Sequence, residues 1–418
     1  MTSLLGLCTS CTPAAPSYPP PTQAASPPSY YATGLGAFYQ ALDALQSGRS
    51  AAPVQILQIG DSHTANDGFS GRMRELFQAR FGDAGRGIMP PGIPFRYYRP
   101  SQVTATATGW QTIGSLNAGN PGPFGLAGVR QHATGPADMT LLETEPGGLG
   151  DVWVEALGQP GGGTLDAARD GAGTLSFSTN VARSGPLWLK MPAGTPDSSV
   201  TLRARGNGPT DVLAWSAIRP QPGVTYSNLG TIGATVEEIG RFDHAIMQSE
   251  LRRLHPALIL IAFGTNEAYS HKTDMATYPT LYAQWVQSVH ETAPWASIVI
   301  IAPPDGNRDA AHARPGDTAC PPPESGPAEH TRWTVPALLA QIRDVERRFA
   351  AEHGYFYWDW SQAMGGMCSM QALARTVPPM GAPDHVHLFK PGYRATAEKL
   401  YAAIISGYDQ MHGAAPLH

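Results

Sequence analysis

Between residues 54 and 81 the chain changes its hydrophobic period. Val54-Gln55-Ile56-Leu57-Gln58-Ile59 is a short apolar-rich run that stops at Gly60-Asp61-Ser62-His63, after which Phe69, Met73, Leu76, Phe77 and Phe81 recur at three- and four-residue intervals. The first pattern predicts a strand and the second an amphipathic helix. Leu35, Phe38, Tyr39, Leu42 and Leu45 predict an earlier helix. The alternation resumes near Gly230, with a helix over 236–254, a continuous apolar run over 258–263 suited to a central parallel strand, a helix over 278–291 and a strand over 297–302. A Pro- and Gly-rich loop over 303–327 leads to a helix over 335–353, a short strand over 355–358 and a last helix after Lys390-Pro391-Gly392. Strands alternating with helices predict a three-layer α/β/α fold around a parallel sheet.

From about Pro100 to Tyr226 the helical period disappears. Short runs over 139–143, 152–156, 174–178, 187–191, 200–204 and 212–218 are separated by clusters such as Gly161-Gly162-Gly163 and Gly206-Asn207-Gly208-Pro209. This spacing predicts an antiparallel β-sandwich or jelly roll inserted into the α/β unit. The expected organisation is therefore residues 31–100 and 227–418 as one discontinuous domain, with 101–226 as the inserted β domain.

Composition narrows the function classes. The 418 residues carry 28 Lys+Arg against 33 Asp+Glu, a formal charge of −5, so no basic footprint for nucleic acid is present. Gly 46 and Pro 39 imply a loop-rich chain and argue against a helical bundle. No apolar run reaches the roughly 18 residues that a transmembrane helix requires. The first 30 residues read as the remnant of an export signal followed by a tether. Cys11 after Ser10 is a candidate lipid-anchor cysteine, better than Cys8 after Leu7, and residues 12–28 are Pro/Ala/Ser-rich. A loose N-terminus with two unimportant thiols is the alternative. Cys320 and Cys368 both lie in loop-like sequence. In an oxidising compartment they can pair, closing a loop of about 48 residues that would contribute roughly 3–4 kcal/mol through chain entropy; two free buried thiols is the other reading.

Three strand ends carry unusual polar residues, and the carboxyl ends of strands are where ligands sit in open α/β sheets. Ser62, on a tight turn between strand and helix, would project its hydroxyl near amides able to receive an oxyanion; a helix N-cap is the structural alternative. Gly264-Thr265-Asn266-Glu267 offers a side-chain amide as a neutral oxyanion donor, or an Asx turn. In Asp384-His385-Val386-His387 the carboxylate can take one ring N–H of a histidine three residues on, freeing the other nitrogen as a general base. A solvated surface loop or half of a metal site is the alternative there.

Taken in order, these segments resemble the SGNH (GDSL-type) hydrolase superfamily, with GDSH in place of GDSL. The resemblance implies Ser62 as nucleophile, Asp384 and His387 as its relay partners, and an oxyanion hole from Ser62, Gly233 and Asn266. Gly233 is chosen over Gly230 by the pattern N-x-G-x-x-G-A over 228–234. The large β-rich insertion, GTNEA, Trp358-Asp359-Trp360 and Met364-Gly365-Gly366 look like the bacterial peptidoglycan O-acetylesterases, whose inserted module is similar to a carbohydrate-binding β-sandwich. The implied function is a periplasmic or cell-envelope serine esterase acting on an O-acetylated glycan, with peptidoglycan as the first choice and no cofactor. Acetylated xylan or another polysaccharide or simple ester, and a glycan O-acetyltransferase or glycan-binding protein, are the alternatives. Neither HExxH nor a Cys/His pairing at zinc spacing is present, so no metal is expected. His63, Asp61 and Glu267 read as residues that shape or stiffen the site. Trp110, Trp153, Trp188 and Trp215, with Tyr97 and Tyr98 just before the β-rich segment, could stack on sugars or fill the sandwich core.

Overall fold

The computed structural model describes residues 33–195, 199–322 and 332–412; the candidate lipid-anchor Cys11 and the tether lie outside them. Among the described residues the central parallel sheet has five strands: β1 (Val54–Gly60), β2 (Val224–Gly230), β3 (Leu258–Ala262), β4 (Ser297–Ala302) and β5 (Phe356–Asp359), in the order β2-β1-β3-β4-β5. Apolar residues on successive positions point to opposite faces. Ile56, Leu258, Leu260, Val299 and Ile301 pack with α1 (Gly36–Gln46), α3 (Gly68–Phe81) and α9 (Lys390–Met411). Leu57, Ile59, Ile259, Ile261, Ile298 and Ile300 pack on the other side with α4 (Val236–Ile239), α5 (His244–Leu254), α7 (Tyr278–Thr292) and α8 (Ala337–His353). The continuous apolar runs in the sequence are thus strands buried on both faces, each aliphatic side chain stabilising the fold by roughly 1.5–3 kcal/mol.

The chain between β1 and β2 supplies two antiparallel sheets. One runs Gly185–Lys190, Asp151–Gly158, Thr210–Ile218, Val129–Ala133 and Gln111–Gly114, with Gly87–Met89 pairing on Thr210–Ile218; the other runs Val103–Thr108, Pro136–Glu143, Val200–Arg205, Thr164–Arg169 and Leu175–Ser178. Val154, Ala156, Leu165, Leu202, Val212 and Trp215 share one apolar core, so the two sheets face each other as a sandwich.

Three local departures from the sequence patterns have physical causes. The helix expected over 236–254 is two helices. Thr235 and Glu238 form a capping box on α4, Gly240 ends it, and the Asp243 carboxylate starts α5 by accepting the Ala245 and Ile246 N–H groups at 2.9 and 3.1 Å. β2 escaped the hydrophobic pattern because it buries polar side chains, most of them bonded internally: Tyr226 donates to Gln58 Oε1 at 2.8 Å and Ser227 Oγ accepts from Ile88 N at 3.0 Å. The 303–327 loop contains the short strands Arg308–Asp309 and Thr318–Ala319, both paired with Trp333–Val335, and Cys320 and Cys368 form a disulfide there. Among the described residues no helix is long and apolar enough to cross a membrane.

One buried ionic knot joins α3, β2 and the start of the β-rich segment. Asp67 takes bonds from Arg74 at 3.0 and 3.1 Å, from Arg86 at 3.3 Å, from Ser70 Oγ at 2.6 Å and from the Ser101 amide at 2.8 Å. Burial alone would raise the Asp67 carboxyl, but the Arg74 and Arg86 charges and the Arg74 and Ser70 hydrogen bonds hold it far below the ordinary carboxylate range. Removing one partner of a buried ionic group strands the others. Asp67→Ala is therefore expected to lower stability by about 3–5 kcal/mol, read as a fall in the urea midpoint with little change in slope. Because the folded-state pKa is depressed, the contribution of Asp67 is present at neutral pH and is lost as the pH falls below the ordinary carboxylate range.

Candidate active site

Ser62 opens the short helical turn α2 (Ser62–Ala65) at the carboxyl end of β1. The Asp61 side chain caps this turn by accepting the His63 N–H at 2.9 Å. Gly60 and Gly230 lie opposite each other in the β1–β2 register. The turn rests directly on β2, since a Cβ at Gly230 would fall 2.0 Å from Ala65 N. Asn228 Nδ2 donates to Thr64 O at 2.6 Å and fixes the turn from the side. The chain is thereby bent so that Ser62 Oγ lies 2.9 Å from His387 Nε2.

The Asp384–His387 loop precedes α9 and is shaped by its own carboxylate. Asp384 Oδ1 accepts the Val386 and His387 N–H groups, each at 2.9 Å, leaving Oδ2 at 2.7 Å from His387 Nδ1. His385, between them, is buried in the left-handed region at φ 54°. Its ring stacks on Trp333 with centroids 3.6 Å apart, and its carbonyl accepts from Asn307 N at 2.7 Å. A carboxylate at Nδ1 requires the proton there, which leaves Nε2 with a lone pair facing the Ser62 hydroxyl. The hydrogen bond to Asp384, helped by its charge and opposed by burial, raises the His387 pKa above 6.5. Burial alone would raise Asp384, but its bonds from the His387 ring and from the two amides hold it well below the usual range.

Two further turns complete the arrangement. Gly233, at φ 82°, follows β2 in a turn tied down by Thr231 N, which donates to Gly60 O at 2.8 Å. Asn266 begins beyond β3, in α6 (Thr265–Tyr269), and donates one Nδ2 hydrogen to Ala234 O at 2.9 Å. Its second hydrogen and the Ser62 and Gly233 amides have no acceptor among the described residues. Glu267 accepts the Val236 N–H at 2.9 Å and so holds the same turn. Burial pushes Glu267 up to about 8 and Asp61 up to about 6, and it pushes His63 down to about 3, with the nearby His387 adding to the last effect. Near neutral pH the carboxyl behind the Gly233 turn is thus largely uncharged, and His63, whose Nδ1 lies 2.9 Å from Tyr393 Oη, is a neutral neighbour of His387.

The arrangement joins a hydroxyl, an imidazole and a carboxylate in one hydrogen-bonded chain, which can generate a nucleophile, and leaves unbonded N–H donors on the same strand ends of the kind that can stabilise a tetrahedral oxyanion. Among the described residues no group of three or more His, Cys, Asp or Glu side chains could hold a metal ion. The aromatics are distributed differently from the site. Trp215 is fully buried in the sandwich core and Trp110 packs against that core, while the Arg253 guanidinium covers Trp153 at 3.7 Å and Trp188 at 4.8 Å. Tyr97 is exposed and Tyr98 buried. Two residues that no sequence pattern singled out border the Gly233 turn or brace the loop that does. Leu116 comes from the β-rich segment, and Arg241, in the break between α4 and α5, donates to carbonyls of the Leu116 loop.

Residues 193–395 match the GDSL-like Lipase/Acylhydrolase family. A solved peptidoglycan O-acetylesterase superposes with a TM-score of 0.74 at 26% identity, covering 91% of this chain and 98% of its own. Family two carbohydrate esterases from Cellvibrio japonicus (TM-score 0.27, 13% identity, 74% of this chain and 99% of that one) and Clostridium thermocellum (0.31, 11%, 78% and 99%) are far more distant and bear no weight below. Among curated proteins none matches this sequence. The fold is the SGNH-hydrolase fold.

An imidazole that must be neutral to accept the serine proton makes the rate rise with pH through its own pKa. The acid limb of kcat/KM for a 4-nitrophenyl ester is expected above the ordinary histidine value. Asp384→Asn should move that limb to lower pH and slow turnover at every pH, as read from kcat/KM profiles of the two proteins.

Proposed function

Because the chain carries a GDSL-like lipase/acylhydrolase domain and is a carboxylic ester hydrolase, we propose that it removes O-acetyl groups from a cell-envelope glycan, with O-acetylated peptidoglycan as the substrate. The observation that carries this reading is the hydrogen-bonded chain from Ser62 Oγ to His387 Nε2 at 2.9 Å and from His387 Nδ1 to Asp384 Oδ2 at 2.7 Å. Its substrate rests on the likeness to a peptidoglycan O-acetylesterase over nearly the whole chain. In this reading residues 31–100 and 227–418 form the hydrolase and 101–226 an inserted β-sandwich. The Cys320–Cys368 disulfide suits an oxidising compartment, the cell envelope or outside the cell.

The geometry supports the following course of reaction. His387 Nε2 takes the Ser62 proton as Oγ attacks the acetyl carbonyl carbon, and Asp384 stabilises the imidazolium that forms. The carbonyl oxygen becomes an oxyanion held by the Ser62 and Gly233 amides and the free Asn266 N–H. As the intermediate collapses, His387 returns the proton to the departing sugar oxygen, leaving acetyl-Ser62. Water then gives a proton to His387, attacks the acetyl carbon, and acetate leaves as Ser62 regains its proton. Glu267 bonds the Val236 amide, and Asp61 bonds the His63 amide and the Thr265 side chain; both act by holding the turns. His63 acts as an uncharged neighbour, which matters because a second cation beside His387 would oppose formation of the imidazolium.

Ser62→Ala is expected to abolish acetate release from O-acetylated peptidoglycan while leaving the circular dichroism spectrum and thermal midpoint unchanged; near-normal turnover would sink the assignment. Asn266→Ala removes one oxyanion donor and should cost roughly 10²–10³ in kcat. Acetate release measured beside acetylated xylan tests the substrate. Faster release from xylan would replace peptidoglycan, and acetyl movement only in the presence of a sugar acceptor would replace hydrolysis by transfer.

A further inference from the structure

The β-sandwich reaches the edge of the site through one residue. Gly233 faces nearly open space: a methyl group placed on its Cα would meet, within 4 Å among the described residues other than its chain neighbours, only Leu116 Cδ1, at 3.6 Å. Leu116 itself is 43% exposed, and Ile232, beside Gly233 in the chain, is 39% exposed. Two large aliphatic side chains therefore stand in solvent next to an oxyanion donor, an arrangement that the folding core does not require.

Leu116 is not on a loose loop. Arg241 donates to the Ser115 carbonyl, to Asn117 O at 3.0 Å and to Asn120 O at 2.6 Å. Ser115 N donates to Gly128 O at 2.9 Å, and Thr231 Oγ1 donates to Ala127 O at 3.1 Å, joining the same segment to the turn that carries Gly233. The position of Leu116 is thus fixed relative to the oxyanion donors by bonds from both flanks.

Tetrahedral geometry then limits what Leu116 can face. The reacting carbon bears Ser62 Oγ, the oxyanion, the departing sugar oxygen and the acyl substituent. The sugar oxygen must lie towards His387, which protonates it, and the oxyanion towards the Gly233 and Ser62 amides. The remaining substituent points away from both, and Leu116 and Ile232 are the exposed aliphatic side chains beside the Gly233 donor. We propose that Leu116 is a specificity-determining residue on the acyl side, forming with Ile232 an aliphatic wall that receives a methyl group and stops longer acyl chains. The proposal rests on the esterase reading above.

The test is an acyl series on the full chain: 4-nitrophenyl acetate, propanoate and butanoate with the unaltered protein, Leu116→Ala, Leu116→Met and Ile232→Ala. A methylene in an apolar site changes kcat/KM by roughly tenfold or more. Leu116→Ala should raise the butanoate-to-acetate ratio of kcat/KM about tenfold or more, Ile232→Ala should raise it less, and Leu116→Met should keep the original ratio. Leu116→Ala and Ile232→Ala ratios both within twofold of the original would overturn the proposal, as would an unchanged ratio accompanied by a changed KM for O-acetylated peptidoglycan, which would put the wall on the sugar side. Failure of the esterase reading looks different: the unaltered protein would not hydrolyse acetate esters, or Ser62→Ala would do so equally well.

Discussion

A buried carboxylate, paired with two guanidinium groups, fixes the part of the molecule on which Ser62 stands. Asp67 follows the nucleophile turn by two residues, and its oxygens are shared among Arg74, Arg86, Ser70, the Ser101 amide and Asn228 Nδ2. The two cations are also drawn to β2, where the Tyr226 carbonyl accepts from Arg74 at 2.8 Å and from Arg86 at 3.3 Å. Ions removed from water tolerate little displacement, because every lost bond leaves charge without compensation. The knot therefore transmits one geometry to three places: the turn bearing Ser62, the strand leading to Gly233, and the entry into the β-rich segment.

Around that fixed centre the groups of the candidate site are held in two different ways. Ser62, Gly233 and Asn266 sit at the ends of adjacent parallel strands, β1, β2 and β3, where backbone bonding leaves little freedom. Asp384 and His387 belong to a partly exposed loop, and there the order comes from side chains: the Asp384 oxygen that gathers two amides, and the His385 ring lying on Trp333. Near neutral pH Asp384 is the negative charge hydrogen-bonded to the imidazole, with the Asp61 carboxylate adding to its effect, while burial largely neutralises Glu267 and keeps His63 uncharged. A carboxylate at the far end of the relay favours the imidazolium, whereas one beside the oxyanion turn would oppose the charge that develops there.

The layered fold and the strand ends were legible because they depend on local periodicity. The run at 258–263 could only be a strand buried on both faces, and GDSH, GTNEA and D-x-V-H are contiguous signals whose geometry is set within a few residues. What local pattern could not supply is a contact made across the chain. β2 read as polar because its hydroxyl and amide side chains find partners on other elements, and the break after Ile239 depended on two competing caps within eight residues. Arg241 and Leu116 carry no motif at all. Their meaning comes from the 125 residues of chain that separate them being folded back into contact, which no window of sequence reveals. The tryptophans of the β-rich segment show the converse: their residue type allows either sugar stacking or core, and the fold places Trp215 in the core, Trp110 against it, and Arg253 over Trp153 and Trp188.

The pairing of β1 with β2 has a consequence for how the molecule is made. Val54 lies against Val224, so neighbouring strands of the sheet are separated in the chain by both antiparallel sheets. During synthesis the strand bearing the nucleophile turn emerges long before either of its neighbours, β2 and β3, exists. Until they arrive, its apolar residues and unpaired backbone are an open edge of the kind that draws other chains. Contacts of such long sequence separation form late and slowly. The nascent chain is therefore vulnerable over the interval in which the sandwich is being laid down, and rapid collapse of that sandwich, by drawing residues 54 and 224 towards each other, shortens it.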